Sequence, residues 1–350
     1  MSSWQPRRAP GAEARPSLDR RRAVALAFIA FITFMKLRSA VYNVLALARP
    51  YRLEHIVQKL DCDIVYLIGT QIRCPANTCH HIQRLPALGF VIHFGYGRSP
   101  FTSKCAGCAI FFSKKKFSEK MVQQITTTSD DIRGRGGAVR IKKKNMDLKP
   151  IVAYVPPIPA KEGRAAALKS AEMTKKWIQV EVEKSPARTL PMVGADLNTN
   201  LGCDKSGQAW SSGTGGFNTS RIGPNGGGWE EWLSLVGYAS ATTYCKEAGP
   251  TFYSWAGNGS TIDHFLVPED LAKKMVGLIP WSIARQLQII PDARPRDHQP
   301  SIYTFNYVMK FVCNLVADDS GNCSKPVRWD FEKLASCVQT GEGRIEFLTD

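Results

Sequence analysis

Residues 191–200, Pro191-Met192-Val193-Gly194-Ala195-Asp196-Leu197-Asn198-Thr199-Asn200, decide how the chain is read. Pro191–Val193 reads as a short buried strand, and Gly194, Asn198, Asn200 and Gly202 mark the turn after it. A carboxylate and an amide stand one residue apart where that strand ends. In extended backbone, residues i and i+2 face the same way, so Asp196 and Asn198 are expected to converge at the edge of a sheet. Such a pair suits holding a water or a phosphate, or closing a turn.

The 350 residues are 44% hydrophobic and 22% charged, enough for one large core or two smaller ones. The net charge is +16. That excess favours polyanions: nucleic acid, phosphorylated substrates or an anionic membrane surface. Solubility alone is the competing explanation, and the clustering of the lysines weighs against it. Ten cysteines are scattered without a repeating spacing, which argues for reduced thiols in an intracellular protein, nuclear or cytoplasmic, and against a disulfide framework. Cys105 and Cys108 form a lone C-x-x-C, two ligands short of a structural zinc site.

Arg20-Arg21-Arg22 precedes Ala23–Met35, an apolar run broken only by Thr33. It is short for a bilayer span and suited in length to a signal-peptide core, yet Lys36-Leu37-Arg38 follows at once and no small-x-small cleavage site is evident. A signal or membrane segment at 23–35 therefore stays open, and the tail before it reads as disordered. The expected division is a basic tail with its apolar segment over 1–35, one large domain over 36–318, and a linker-like tail over 319–350.

Apolar runs bounded by turn residues recur at Ala40–Leu47, Ile64–Ile68, Phe90–Phe94, Cys108–Phe112, Ala138–Ile141, Ile151–Val155, Leu190–Val193, Thr251–Trp255, Thr261–Val267 and Ser301–Val316. Their Val, Ile, Phe and Tyr content predicts strands. Between them, Arg52–Leu60 carries Leu53, Ile56, Val57 and Leu60 at helical spacing. Residues 165–184 and Trp229–Leu235 also read as helices. Strands interleaved with a few helices imply a layered α/β or α+β domain. Residues 204–228, dominated by Gly, Ser, Asn and Thr, read as a long loop. Lys114-Lys115-Lys116 and Lys142-Lys143-Lys144 each follow a strand-like run. They read equally well as solvated hairpin ends and as contacts to a phosphate backbone.

Four more stretches carry chemistry: Val41-Tyr42-Asn43-Val44, Ala153-Tyr154-Val155-Pro156, Ile262-Asp263-His264 and Asp297-His298. Singly each has a structural reading: a turn cap, a core tyrosine, an acid paired with a lysine, a polar loop. In this order, and with Gly194-Ala195-Asp196-Leu197-Asn198, they resemble the endonuclease/exonuclease/phosphatase superfamily, the deoxyribonuclease I-like fold. The likeness runs from about Leu37 to Val316 and is nearest the apurinic-endonuclease-like domain of non-LTR retrotransposons. Arg328–Phe331 and Arg344–Phe347 also resemble the linker after such domains.

The resemblance implies a four-layer α/β sandwich of two packed, mostly antiparallel mixed sheets flanked by helices. It implies a monomeric hydrolase that cleaves DNA phosphodiesters with Mg²⁺ or Mn²⁺. By that likeness Asp196 deprotonates the attacking water, and Asn198 bonds the same water or a phosphate oxygen. His298 meets the scissile phosphate, Asp263 fixes its tautomer, Tyr154 donates to a phosphate oxygen, and Asn43 and Asp297 help hold the metal. The pattern breaks at Gly69, where the resemblance implies a glutamate that is the principal metal ligand. Asp63 is about 20 Å along a strand from that position, too far to substitute, whereas Gln71 is expected to face the same side as Gly69. Two alternatives follow: an inactive nucleic-acid-binding relic, or a phosphatase of the same superfamily acting on an inositol phosphate or sphingolipid headgroup.

Overall fold

The computed structural model describes residues 34–47, 51–72, 89–96, 106–143, 146–203, 213–221, 223, 225–226, 228–288 and 294–308. Met35–Tyr307 form one compact unit. Met1–Phe34 and Val308–Asp350 fall outside it, and of these Phe34 and Val308 alone are described.

Among the described residues, seventeen strands and four helices of seven residues or more carry the fold. In chain order they are β1 (Phe34–Asn43), α1 (Arg52–Leu60), β2 (Ile64–Ile68), β3 (Phe90–Tyr96), β4 (Cys108–Ser113), β5 (Val122–Thr127), β6 (Gly136–Lys143), β7 (Met146–Tyr154), α2 (Arg164–Glu183) and β8 (Leu190–Asp196). There follow β9 (Gly202–Cys203), β10 (Ser220–Arg221), α3 (Trp229–Leu235), β11 (Tyr238–Ser240), β12 (Phe252–Tyr253), β13 (Gly259–Ser260), β14 (Asp263–Pro268), β15 (Val276–Leu278), α4 (Trp281–Leu287), β16 (Asp297–His298) and β17 (Ser301–Val308). Short helical turns lie at Ala241–Tyr244 and Glu269–Ala272.

One six-stranded sheet has the order β15-β17-β1-β2-β4-β3 and the other β11-β14-β8-β7-β6-β5. β1 runs parallel to β2, and β7 to β8. Each of these parallel pairs is joined through a helix, α1 or α2, because parallel neighbours need a long crossover. β11 with β14, β14 with β8, β15 with β17, β2 with β4, β3 with β4, β5 with β6 and β6 with β7 are antiparallel.

Alternation along the strands sets the layers. Ala40, Tyr42, Val65, Leu67, Ala109 and Phe111 pack with Leu53, Ile56, Val57 and Leu60 of α1. Ala138, Ile151, Ala153, Val193, Ala195 and Leu266 pack with Ile178 of α2 and Trp229 and Leu233 of α3. The residues between them in sequence point the other way, into the space between the sheets. There the Tyr66 ring meets Phe265 edge-on at 5.7 Å, and Phe265 stacks on Tyr303 at 4.9 Å. The result is the four-layer sandwich that the resemblance implies.

The three expected helices form within a residue of their predicted bounds. The strands extend or shrink at their ends. Leu45, with φ 58°, breaks the Ala40–Leu47 run, while β1 begins earlier, at Phe34, inside the apolar Ala23–Met35 segment. The rest of that segment, residues 204–212, 222, 224 and 227 of the expected 204–228 loop, and residues 309–316 lie outside the described residues. β5 went unpredicted because its Val-Gln-Gln-Ile-Thr-Thr sequence is that of an exposed edge, mostly polar. Among the described residues, no helix is long and apolar enough to cross a membrane.

Gly194 faces Tyr66 of the opposite sheet, and a Cβ there would lie 2.5 Å from its Cγ. Gly194→Ala is expected to lower stability by about 1–3 kcal/mol through overpacking, read from urea denaturation. Gly216→Ala, whose Cβ would have nothing within 4 Å, should change it by less than about 0.5 kcal/mol.

Candidate active site

The strand parity that builds the core also aims polar side chains into the space between the sheets at one end. Tyr154 closes β7, Asp196 closes β8, and the two are register partners. Asp263 opens the antiparallel β14 and is likewise paired with Asp196. Asn43 closes β1 in the opposite sheet. His298 enters on β16, held to the β12–β13 hairpin by pairing with Phe252. Thr251 anchors the start of β14, its hydroxyl accepting the Ile262 and Asp263 N–H groups at 3.1 and 3.0 Å.

These groups bond to one another. His298 Nδ1–H donates to Asp263 Oδ2 at 2.7 Å. Asn43 Nδ2 donates to Asp196 Oδ2 at 2.8 Å and lies 3.3 Å from His298 Nε2. The Asn198 N–H donates to Asp196 Oδ1 at 2.8 Å. Asp196, Asp263 and His298 are 1%, 0% and 8% exposed, and their ligand atoms all lie within 4.8 Å of one another. Asp263 Oδ1 is buried and accepts no hydrogen bond.

Burial, and then the neighbouring Asp263, push the Asp196 carboxyl up from its ordinary 3.8 to about 7. For His298, burial is the largest influence and opposes the charged ring. Asp263, Asp196 and Asp297 together outweigh it, raising the ring from 6.5 to about 9. When Nε2 is protonated it faces Asp196 Oδ2, 3.9 Å away. His264 behaves oppositely. Burial lowers it to about 4, and its neutral ring accepts from Ser240 Oγ at Nδ1 and donates from Nε2 to the Thr199 carbonyl. It is a core histidine, turned away from the cluster by the strand alternation.

The structure departs from the sequence reading at four points. Asp196 and Asn198 do not share a face as neighbours on a strand, because β8 ends at Asp196 and Asn198 is left-handed at φ 48°. The Asn198 side chain instead donates to the Val155 carbonyl at 2.7 Å, tying the ends of β7 and β8 together. Gln71 lies beyond β2, which ends at Ile68, and its amide nitrogen donates to the Leu45 carbonyl. Asp297 sits beside His298 but outside the three-membered cluster.

The lysine groups are the fourth point. Lys114–Lys116 follow β4 at Ser113, about 17 Å along the strand from Cys108, which pairs with Ile68 beside the site. Lys115 and Lys116 are ion-paired with Asp61 and Asp63. Lys142 and Lys143 pair with the start of β7, about 24 Å from Tyr154. Lys144 lies outside the described residues. Neither group is brought to the cluster.

Arg135 was not legible as a site residue. It is 4% exposed, its guanidinium lies 5.0 Å from the centre of the Tyr154 ring, and its carbonyl accepts the Tyr154 N–H at 2.7 Å. The signal available was only an arginine between glycines, Gly134-Arg135-Gly136.

The donors present fit a resident Mg²⁺ poorly. Gly69 offers no ligand atom, and Asn43 turns its nitrogen, not its oxygen, towards Asp196. Asn43 Oδ1 accepts the Leu45 N–H at 3.1 Å. Both Asp196 oxygens already accept hydrogen bonds. Mg²⁺ demands near-octahedral oxygen coordination and keeps several waters, and the oxygens this cluster leaves without a hydrogen bond are too few for such a shell.

No protein-family model and no curated protein matches the chain. Solved structures do. The 3′ phosphatase NExo from Neisseria, bound to product DNA hairpin, aligns with TM-score 0.53 and 14% identity over 77% of this chain and 100% of its own. AP endonuclease LMAP from Leishmania major aligns at 0.52 and 14%, over 78% and 88%. An AP endonuclease from Archaeoglobus fulgidus aligns at 0.51 and 16%, over 77% and 99%. Identities this low speak for the fold alone, and the strand order, the paired crossovers and these alignments agree: the chain has the deoxyribonuclease I-like fold.

Proposed function

We propose that the chain lays a nucleic-acid strand across the end of the sandwich that carries Asp196 and hydrolyses a phosphodiester bond there. The observation that carries the reading is the bonded set Asp263–His298, Asp196 and Asn43, delivered by four separate strands to one point. Asp196, with a pKa near neutrality, accepts a proton from the attacking water. The water oxygen bonds to phosphorus as the bond to the leaving oxygen breaks. His298, charged at neutral pH and oriented by Asp263, stabilises the added negative charge and passes its Nε2 proton to that oxygen. Tyr154, backed by Arg135, offers its hydroxyl to a phosphate oxygen. The Mg²⁺ or Mn²⁺ implied by the resemblance enters none of these steps, since the donor set does not fit it.

DNA as the polymer is supported by the +16 charge and by the DNA-processing enzymes that share the fold. Descent from a non-LTR retrotransposon rests on the ordered motifs and on the Arg328–Phe347 stretch, which lies outside the described residues. A further support is Trp255, 69% exposed in the turn of the β12–β13 hairpin, with the Arg296 guanidinium 4.6 Å over its ring. An exposed indole capped by a cation, on the hairpin that holds His298, suits a base or sugar more than a small phosphomonoester. The lysine groups at the far end could touch the polymer's backbone only away from the reaction. A second reading, binding without cleavage, is favoured by Gly69.

Supercoiled plasmid should be nicked by the purified protein, in divalent metal or in EDTA, and Asp196→Ala or His298→Ala should each reduce the rate by about 100-fold or more. DNA binding without nicking would instead establish the second reading. Phosphate release from a small monoester without nicking would assign a phosphatase.

The nicking rate should rise with pH as Asp196 ionises near 7 and fall as His298 deprotonates near 9. The contributions of these two groups to stability move in one direction only. Both groups bind protons more tightly folded than unfolded, so their contribution is present at low pH and is lost as pH rises. For Asp196 the loss falls between 3.8 and about 7, and for His298 between 6.5 and about 9. His264, held neutral by burial with its pKa near 4, opposes the Asp196 loss between about 4 and 6.5, so the urea midpoint should decline with pH from about 6.5 to about 9, with Asp263→Asn flattening that decline.

Trp255→Ala should weaken binding of single-stranded or nicked DNA by about 5- to 100-fold, the loss of one stacked base, read by fluorescence anisotropy. Its urea midpoint should stay that of the unaltered protein.

A further inference from the structure

We infer that the Asp196–Asp263–His298 cluster is closed by its own hydrogen bonds and holds no resident divalent cation, with Asn43 acting as a hydrogen-bond donor to Asp196 in place of an oxygen ligand. The inference deepens the reading above: it rests on that choice of site but not on turnover.

The first ground is what occupies the space at Gly69. The residue is left-handed, φ 66°, and a Cβ built on it would lie under 3 Å from Asn43 Oδ1. The position is therefore more than a carboxylate deleted from an intact metal site. Asn43 lies against the glycine, where a longer residue would need both a strained backbone and a displaced asparagine.

The second ground is the direction of the Asn43 amide. The Leu45 N–H holds Oδ1, so Nδ2 is the atom presented to Asp196 and His298. An amide NH₂ group has no lone pair to offer a metal ion, and it satisfies a carboxylate. The third is the count of open oxygens. Asp196 Oδ1 and Oδ2 accept from Asn198 and Asn43, Asp263 Oδ2 accepts from His298, and the remaining Asp263 Oδ1 is fully buried. One enclosed oxygen is not the several-oxygen, water-retaining shell of Mg²⁺ or Mn²⁺. Hydrogen bonds thus do the holding that an ion would do elsewhere.

The test is calorimetric titration of the full chain with MgCl₂ and with MnCl₂, together with thermal midpoints at matched ionic strength. The expected result is no saturable heat at millimolar metal and no shift of the midpoint. Asn43→Asp replaces the amide donor by a second carboxylate beside Asp196. It should acquire a metal-dependent stabilisation of about 3 °C or more at saturation. Saturable stabilisation of the unaltered protein by either ion, removed by Asn43→Ala, would overturn the inference. Should Asn43→Asp not fold, the titration of the unaltered chain still decides. Absence of nicking would count against hydrolysis and leave these measurements untouched.

Discussion

Three ionisable groups with little exposure to bulk water must satisfy one another, and this constraint governs the end of the sandwich. Asp196, Asp263 and His298 are each less than a tenth exposed. Burying a carboxylate or an imidazolium is costly unless it is paired and hydrogen-bonded, and removing one partner leaves the other uncompensated. The partners come from different strands: β8 and β14 in one sheet, β1 in the other, and the short β16 beside the β12–β13 hairpin. Asn43 to Asp196 is therefore a bond between the two sheets. The relative placement of the sheets and the protonation of the cluster are set together.

The support for that bond is mostly side chain to backbone. Asn198 donates to Val155, and Asn200 Oδ1 accepts the Thr261 N–H. Thr251 takes two N–H groups at the start of β14, and the Thr251 carbonyl accepts the Gln299 N–H at 2.6 Å, next to His298. Each such bond satisfies a backbone group that the ladder leaves open where a strand stops. The polar residues of the loops close the ends of the strands and so fix where the carboxylates point. Deeper in, Tyr66, Phe265 and Tyr303 fill the space between the sheets, and Gly194 lets Tyr66 approach the backbone of β8. The aromatic interior and the ionisable rim lie on the same face of the same strands.

The fold was legible because that alternation is written plainly. Ile64–Ile68 is apolar throughout, as a strand covered on both faces must be, and Leu53, Ile56, Val57 and Leu60 mark one helical stripe. The cluster was legible as an order of motifs; its internal geometry was not. The i, i+2 rule placed Asp196 and Asn198 side by side, but it holds only in extended backbone, and nothing in Leu-Asn-Thr-Asn announces that Asn198 turns left-handed. The lysine triplets drew attention by charge, whereas only strand direction shows that they leave the sheets at the far end. Arg135 was hidden because a buried arginine and an exposed one are written with the same letter. Its packing under Tyr154 depends on β6 and β7 being neighbours.

The backbone around the cluster carries its own record. Leu45, Gln71, Asn198 and Asp297 all have positive φ, between 48° and 58°, and Gly69 joins them at 66°. They follow the ends of β1, β2 and β8 or lie on β16, all around one point. Asparagine and aspartate tolerate this region, but leucine and glutamine are poorly suited to it, and such conformations persist only where surrounding contacts over-determine them. The contacts are present: the Leu45 N–H is held by Asn43, and the Leu45 carbonyl by the Gln71 amide. Gly69 lies between these two strained residues and against the side chain that links them to Asp196. A glycine is thus favoured at that position by the backbone and by the close approach of Asn43 Oδ1, as well as permitted by the loss of a ligand. Restoring a carboxylate there would mean rebuilding the turns after β1 and β2, with Asn43 released from both Leu45 and Asp196. The departure from the metal-binding pattern is a property of the whole strand-end assembly, and Gly69 is only its most visible letter.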